Sequence, residues 1–349
     1  MKGLLQGIID SRLFHRFLYH SKLSAMLYPI TFQSILKNRV WGGSELERLY
    51  QKPIPPKSII GESWELSDRE GSVSVIVNGD LAGQDIQWLV EHHSEELLGQ
   101  VKLSAGRFPL LCKLLDAQER LSLQVHPSEF VAKELGGESK TEIWYVAAAK
   151  PEAVVYAGFK RGVTKADFEA LLKAGRVETC LHVLPVKAGD ALYVPSGRLH
   201  ALGSGIVIFE IQQNSDTTYR VFDWNRACSD GKPRALHIEQ AMRCIDFNDH
   251  EPALVDTKFV CLEEGIEGRW LVQCPAFSVQ EFRLSTGSHW RLDEGRCQVL
   301  AVVNGIIEAR GNGHSLELKS GSFCLMPAGL REPTLKARIP ATVLVAEPA

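Results

Sequence analysis

No apolar run in this 349-residue chain is long enough to cross a bilayer, and no two cysteines stand as a Cys-x-x-Cys pair. The first absence removes a transmembrane helix, which needs about 20 apolar residues. The second removes zinc-ribbon and thioredoxin-like motifs. The eight cysteines lie scattered at positions 112, 180, 228, 244, 261, 274, 297 and 324. They read as thiols of a cytoplasmic protein rather than as a disulfide framework. Neither sign of charge dominates: 39 Lys and Arg face 42 Asp and Glu, the net charge is −3 and the pI is about 6.4. That balance speaks for neither a nucleic-acid nor a membrane partner. Residues 1–25 are the biased stretch, with Lys2, Arg12, Arg16 and Lys22 against one acid, Asp10. Gln6 and Asp10 interrupt its apolar part, which makes a poor signal-peptide core. It reads either as a short amphipathic helix or as a leader, up to residue 26, ahead of a natural start at Met26.

What is present is a hydrophobic content of 45%, enough for one large or two moderate domains. Chemistry-bearing residues concentrate between Leu121 and Glu142. Gln124 and His126 are two apart in a strand-like run and so share a face. Lys140 and Glu142, also two apart, precede the β-prone Ile-Trp-Tyr-Val. Two strands joined by a loop of turn residues (Pro127, Gly136, Gly137) aim an amide, an imidazole, an ammonium and a carboxylate into one cavity. These nitrogen and oxygen donors suit a divalent metal, zinc above all, with a further ligand from later in the chain. Each residue alone has a plainer reading. An isolated strand histidine is usually a satisfied structural residue, and a lone Glu142 is a surface carboxylate.

Trp-Gly-Gly at 41–43 and the prolines at 53, 55 and 56 mark turns, while Gly61–Ser67 and Ser72–Val77 read as short strands. Asp85 to Gly99 reads as a helix capped by Asp85 and ended by Gly99. Phe108-Pro-Leu-Leu-Cys-Lys-Leu-Leu is a buried strand with a single charge, Lys113. Such a lysine sits at a sheet end or snorkels, or else faces an anionic ligand. Val154–Phe159 is a strand, and Thr164 to Gly175 a helix with a Thr cap and a Gly stop. Leu236 to Phe247 reads as another helix, and strands dominate again from about Lys258. Trp41 and Trp64 read as core. In Ser215-Asp-Thr-Thr-Tyr-Arg-Val-Phe-Asp223, Asp216, Thr218 and Arg220 share a face if extended. Arg220 either pairs with Asp216 or Asp223, or offers its fork of donors to a phosphate or an enediolate.

Gly189-x5-Pro195-x-Gly197-x2-His200 matches the second signature of the cupin superfamily in full. The Pro-Gly turn lets the chain double back, so that His200 opens the next strand as the fourth ligand. Gln124, His126, Glu142 and His200 leave a site of net charge +1 around Zn²⁺, suited to polarising an oxygen-rich substrate. Gly321-x5-Pro327-x-Gly329 repeats the spacing, with Glu332 where the first copy has His200. The expected fold is mainly β: two cupin-like jelly-roll barrels with a few inserted helices. A metal-binding domain over residues 27–250 would be followed by a degenerate second barrel over 251–349.

Five ordered blocks then carry a family resemblance. Phe108-Pro-Leu-Leu-Cys-Lys, Leu-Ser-Leu-Gln-Val-His-Pro, Lys-Thr-Glu-Ile-Trp-Tyr, Val-Pro-Ser-Gly-Arg-Leu-His-Ala-Leu and Ser-Asp-Thr-Thr-Tyr-Arg-Val-Phe-Asp resemble, in order, the blocks of type I mannose-6-phosphate isomerases, in their short bacterial form. The resemblance is dense over 108–226 and thin after 250. It implies one zinc ion per chain on Gln124, His126, Glu142 and His200, and the interconversion of mannose 6-phosphate and fructose 6-phosphate through a cis-enediol. It implies Lys140, Glu210, Asp216 and Arg220 around the reacting carbons, and Lys113 with Arg220 holding the sugar phosphate. The base is one of Glu210, Lys140 and Asp216. Ser139 departs from longer members that have a histidine before the lysine. Monomer and homodimer both stay open. The rivals are a metal-binding cupin that only senses or binds sugar phosphates, and an iron dioxygenase, which usually needs two or three histidines with a carboxylate and no glutamine.

Overall fold

The computed structural model describes residues 26–226 and 233–349. Residues 1–25, on which the expected amphipathic helix or leader falls, and Cys228 lie outside them. The chain is mainly β, 43% strand and 14% helix, as its β-branched and aromatic runs between glycine and proline turns require.

Up to residue 222 the strands build two large sheets, besides the two-stranded pair of Asp68–Arg69 with Ser72–Val73. The larger runs in the order Ile35–Gly43, Ile60–Leu66, Leu110–Ala117, Ile206–Gln213, Glu142–Ala149, Ala191–Val194. The smaller runs Tyr219–Phe222, Leu123–Val125, His200–Leu202, Val154–Phe159, Leu181–Pro185. They face each other, with Leu115, Trp144 and Ile208 of the larger packed in one cluster with Val155, Ala157 and Leu202 of the smaller. From Val260 the same succession recurs. A six-stranded sheet runs Val260–Glu263, Ile266–Gln273, Phe277–Leu284, Ala341–Pro348, Gln298–Asn304, Phe323–Met326. A four-stranded one runs His289–Arg291, Thr334–Ala337, Ile306–Gly311, His314–Lys319. The two pairs share a core: the largest apolar cluster joins Leu110, Ile143 and Phe209 to Phe277, Val299 and Leu344. At that junction the buried Arg269 and Glu281 pair at 2.6 Å, and the Tyr145 hydroxyl donates to Glu281 at 3.0 Å.

The early glycines have a steric reason. A Cβ on Gly42 would lie 2.4 Å from the Gly61 nitrogen, and one on Gly61 would lie 2.5 Å from the Arg39 Cβ. Backbones this close admit no side chain, which explains the Trp-Gly-Gly and Gly-Glu-Ser-Trp-Glu stretches together.

Two helices stand where their caps place them, Ile86–Leu98 and Lys165–Lys173, and a third, Ile238–Cys244, forms without a side-chain cap inside the expected 236–247. Asp85 accepts from the Trp88 N–H, and Thr164 forms a capping box with Asp167. Two expectations need correction. Only Ser72–Val73 of the expected 72–77 strand is paired as a strand, with isolated bridges at Val75 and Ile76. The strands carrying His126's neighbours and Glu142 are not joined by a simple loop. A helix, Glu129–Leu135, capped by Ser128 and stopped by Gly136 at φ 68°, separates them, and they belong to opposite sheets. Ser128 and Gly136 were the signal for it.

Candidate metal centre and active site

Gln124 lies in strand Leu123–Val125 of the smaller sheet, and His126 follows directly. His200 opens its own strand and pairs with Gln124 across the ladder. The turn before it holds because Gly197 adopts φ 89° and donates its N–H to the His126 carbonyl at 2.9 Å. Glu142 opens its strand in the facing sheet. His126, Glu142 and His200 are all fully buried, and one ligand atom from each lies within 4.8 Å of the others. His126 Nε2 is 3.5 Å from one Glu142 oxygen and His200 Nε2 is 3.6 Å from the other.

Both imidazoles are oriented by main-chain carbonyls. His126 Nδ1 is 3.0 Å from the Thr217 oxygen, and His200 Nδ1 is 2.8 Å from the Arg198 oxygen. A carbonyl can only accept, so each Nδ1 carries the proton and each Nε2 presents a lone pair. The Gln124 amide nitrogen is 3.3 Å from His200 Nε2, and half a turn of the amide puts its oxygen there instead. His126 Nε2 and both Glu142 oxygens are buried without a hydrogen bond of good geometry, although Lys140 Nζ lies 2.9 Å from one of those oxygens. Interiors rarely leave buried polar atoms unpaired, still less three together. A cation among them satisfies all three, so these residues fit a metal.

Burial pushes His126 down to about 3 and His200 down to about 4, so both rings are neutral at pH 7. Burial opposes ionisation of Glu142, yet Lys140 and the neighbouring histidines hold its carboxyl well below the usual range. With the rings neutral, Lys140 is the charge that acts at pH 7.

Beside the cluster opens a cavity of about 480 Å³ whose walls include Gln124, Lys113, Lys140, Glu210, Asp216 and Arg220. The structure thus brings every expected site residue to the metal cluster or to this cavity. One row of the larger sheet runs Trp64, Lys113, Glu210, Trp144 across four neighbouring strands. Lys113 Nζ lies 2.9 Å from a Glu210 oxygen and 5.2 Å from the centre of the Trp64 ring. The Trp144 indole donates to the other Glu210 oxygen at 3.1 Å. Lys113 is therefore neither at a sheet end nor snorkelling: it is buried in mid-strand, and its countercharge is Glu210. Burial would lower its ammonium, but Glu210, Glu62 and Asp216 raise it. Burial raises the Glu210 carboxyl, and the Glu142 charge adds to that against the lowering effect of Lys113 and Lys140.

Arg220 is oriented by Ser122 Oγ at 3.3 Å and the Ala235 carbonyl at 2.9 Å. Asp223, one of its two expected ion-pair partners, is engaged by Arg234 at 2.7 Å and by Arg226 at 3.4 Å. Trp41 and Trp64 are buried as expected, but Trp41 also forms cavity wall. Sequence reasoning missed Arg39, Glu62, Ser122, Trp144, Gln212 and Arg234. Strand alternation would have found Trp144 from Glu142 and Gln212 from Glu210. Arg39 and Glu62 form a two-bond pair at 2.9 and 3.0 Å across the first ladder, and nothing local in the sequence announces it.

Residues 30–160 match the family model of the type I phosphomannose isomerase catalytic domain. The chain is 41% identical over 261 residues to a mannose-6-phosphate isomerase of Streptococcus mutans, covering 74% of this chain and 80% of that protein. It is 35% identical over 308 residues to the mannose-6-phosphate isomerase ManA of Bacillus subtilis, covering 87% and 94%. Among solved structures, a mannose 6-phosphate isomerase from Bacillus subtilis superposes with a TM-score of 0.83 at 32% identity, covering 92% of this chain and 99% of that one.

Proposed function

We propose that this chain, which belongs to the type I phosphomannose isomerase family, interconverts mannose 6-phosphate and fructose 6-phosphate. The observation that carries the reading is the convergence of three buried atoms without a hydrogen bond of good geometry, His126 Nε2 and both Glu142 oxygens, beside a cavity walled by Lys113, Lys140, Glu210 and Arg220. His126, His200, Glu142 and the Gln124 amide oxygen would hold one zinc ion per chain, which when bound supplies a Lewis acid for the sugar oxygens.

The remaining work falls to side chains. From the aldose, the proton on C2 passes to a base, the C–H electrons form the C1–C2 double bond of the cis-enediolate, and the C1 oxygen gains a proton. The reverse sense at the other carbon, with a proton returned to C1 and the C2 hydroxyl proton lost, yields the ketose. We assign the C1–C2 transfer to Glu210. Its raised carboxyl is a better base near neutral pH than an ordinary carboxylate. Lys140, in the cavity wall beside Glu142, suits proton exchange with the sugar oxygens. Arg220 suits the charge of the enediolate, and Asp216 suits the sugar hydroxyls. Lys113 with Arg220 suits the phosphate, whose two negative charges fit a wall carrying Arg39, Lys113, Lys140, Arg220 and Arg234 against Glu62, Glu210 and Asp216.

Against a protein that only binds sugar phosphates, the relatives bear an isomerase's name. The seven cysteines among the described residues are free, which supports a reducing, cytoplasmic setting. Among the described residues no helix is long and apolar enough to cross a membrane. The test is a coupled assay for fructose 6-phosphate formed from mannose 6-phosphate, before and after EDTA and after zinc is restored. Activity lost on chelation and regained with zinc is expected. A folded, zinc-loaded protein without turnover would overturn the proposal.

A further inference from the structure

We infer that Gln212 is a positioning residue for substrate binding, acting through Lys113; the inference rests on the isomerase reading above. Gln212 is fully buried, next to Glu210 on the inner face of strand Ile206–Gln213. Its three hydrogen bonds fix the amide without ambiguity. Lys113 Nζ, which can only donate, lies 2.7 Å from Oε1. The carbonyls of Ser215 and Gln213, which can only accept, lie 2.6 and 2.8 Å from Nε2.

An ammonium has three N–H bonds. Glu210 and Gln212 take two of them, at 2.9 and 2.7 Å, and one remains for the cavity that Lys113 lines. A carboxylate alone would let the ammonium swing about the Glu210 oxygen. The second, neutral acceptor sets the direction of the third N–H without adding negative charge beside an anionic substrate. The acceptor is itself held by the turn it donates to. That turn carries Asp216, and its Thr217 carbonyl orients His126. Gln212 thus ties the cation in the cavity wall to the segment that aligns a metal ligand.

The test is a double-mutant cycle on the zinc-loaded full-length enzyme: Gln212→Met, Lys113→Met and both together, with KM, kcat, metal content and melting temperature for each. Gln212→Met preserves volume and removes the acceptor, so KM for mannose 6-phosphate should rise about tenfold with kcat much less affected. Lys113→Met should raise KM as well, and the double variant should be no worse than Lys113→Met alone, because Gln212 has nothing left to orient. If Gln212→Met does not fold, Gln212→Asn keeps an amide but draws it back by about 1.5 Å. It should show the same KM rise and the same non-additivity. Single effects on KM that simply multiply in the double variant, or a KM change below about twofold, would overturn the assignment to Gln212. A wild-type protein without turnover would instead overturn the isomerase reading itself.

Discussion

Replacing Lys113 by methionine should make stability fall with rising pH more steeply than it does in the native protein. Lys113 and Glu210 have side chains only 5% exposed and lie 2.9 Å apart. Removing one partner of such a pair leaves an uncompensated buried charge, at a cost of about 3–5 kcal/mol if it stays ionised. Glu210 can avoid that cost by taking a proton. Its carboxyl is already raised by burial and by Glu142, and loses in Lys113 the main group that lowers it. Glu62, also lowered by Lys113, shifts in the same direction. An acid whose folded pKa lies above its unfolded value binds more protons folded than unfolded between the two, so stability falls as pH rises through that window. The variant should therefore lose least at pH 5, the acid end of the range, and progressively more towards pH 8. At about 2–4 °C per kcal/mol for a domain of this size, the deficit at pH 8 amounts to roughly 10 °C. Calorimetric melting of zinc-loaded protein from pH 5 to 8, against the native protein at each pH, measures it. Adding Glu210→Gln should recover part of the loss at pH 8, since no buried charge is then stranded. A deficit of the same size at every pH would refute the reasoning and assign the loss to packing alone.

Two further substitutions separate holding the metal from turnover. His200→Ala removes a ligand and should abolish bound zinc, whereas Arg220→Ala should retain zinc and lose turnover; equal metal loss in both, by elemental analysis, would contradict that division. Glu210→Gln should bind zinc and substrate but lower kcat at least about a hundredfold, and it should stop exchange of the substrate C2 proton with deuterated solvent; unchanged exchange would move the base to Asp216 or Lys140.

Much of the candidate metal cluster was legible because its spacing is local. Gln124-x-His126 and the Gly189-to-His200 turn each set their own side chains by strand alternation and by one Pro-Gly reversal. What the sequence could not display is contact between side chains on neighbouring strands of one sheet. Lys113 reads as an anomaly in an apolar strand until Glu210, 97 residues later, is placed beside it by the register of two antiparallel strands. Arg39 and Glu62 are hidden in the same way. The helix Glu129–Leu135 was missed for a different reason: seven residues between a Ser cap and a Gly stop are too few for periodicity to show. The caps alone would have marked it.

The repeated Gly-x5-Pro-x-Gly spacing falls at the same place in the strand succession of both halves, with different residues after it. In the first copy the strand begins at His200, and the ring points between the sheets towards Glu142. In the second, the residue at that spacing, Glu332, is exposed at φ 48°, and the strand begins two residues later at Thr334. The buried position that results is Leu335, paired across the ladder with Trp290 as His200 is with Gln124. Leu335 packs in an apolar cluster with Leu300, Ile307, Leu318 and Val343, and Trp290 lies against that cluster. The first glycine of the spacing keeps a left-handed backbone in both copies, φ 91° at Gly189 and 81° at Gly321, whereas Gly197 at φ 89° has no left-handed counterpart in Gly329. A ligand has to lie on the inner face at one register, and a shift of two residues in the strand's start is enough to put the acidic side chain in solvent. The turn motif is therefore evidence for the strand order, and only its combination with Gln124, His126 and Glu142 is evidence for a metal.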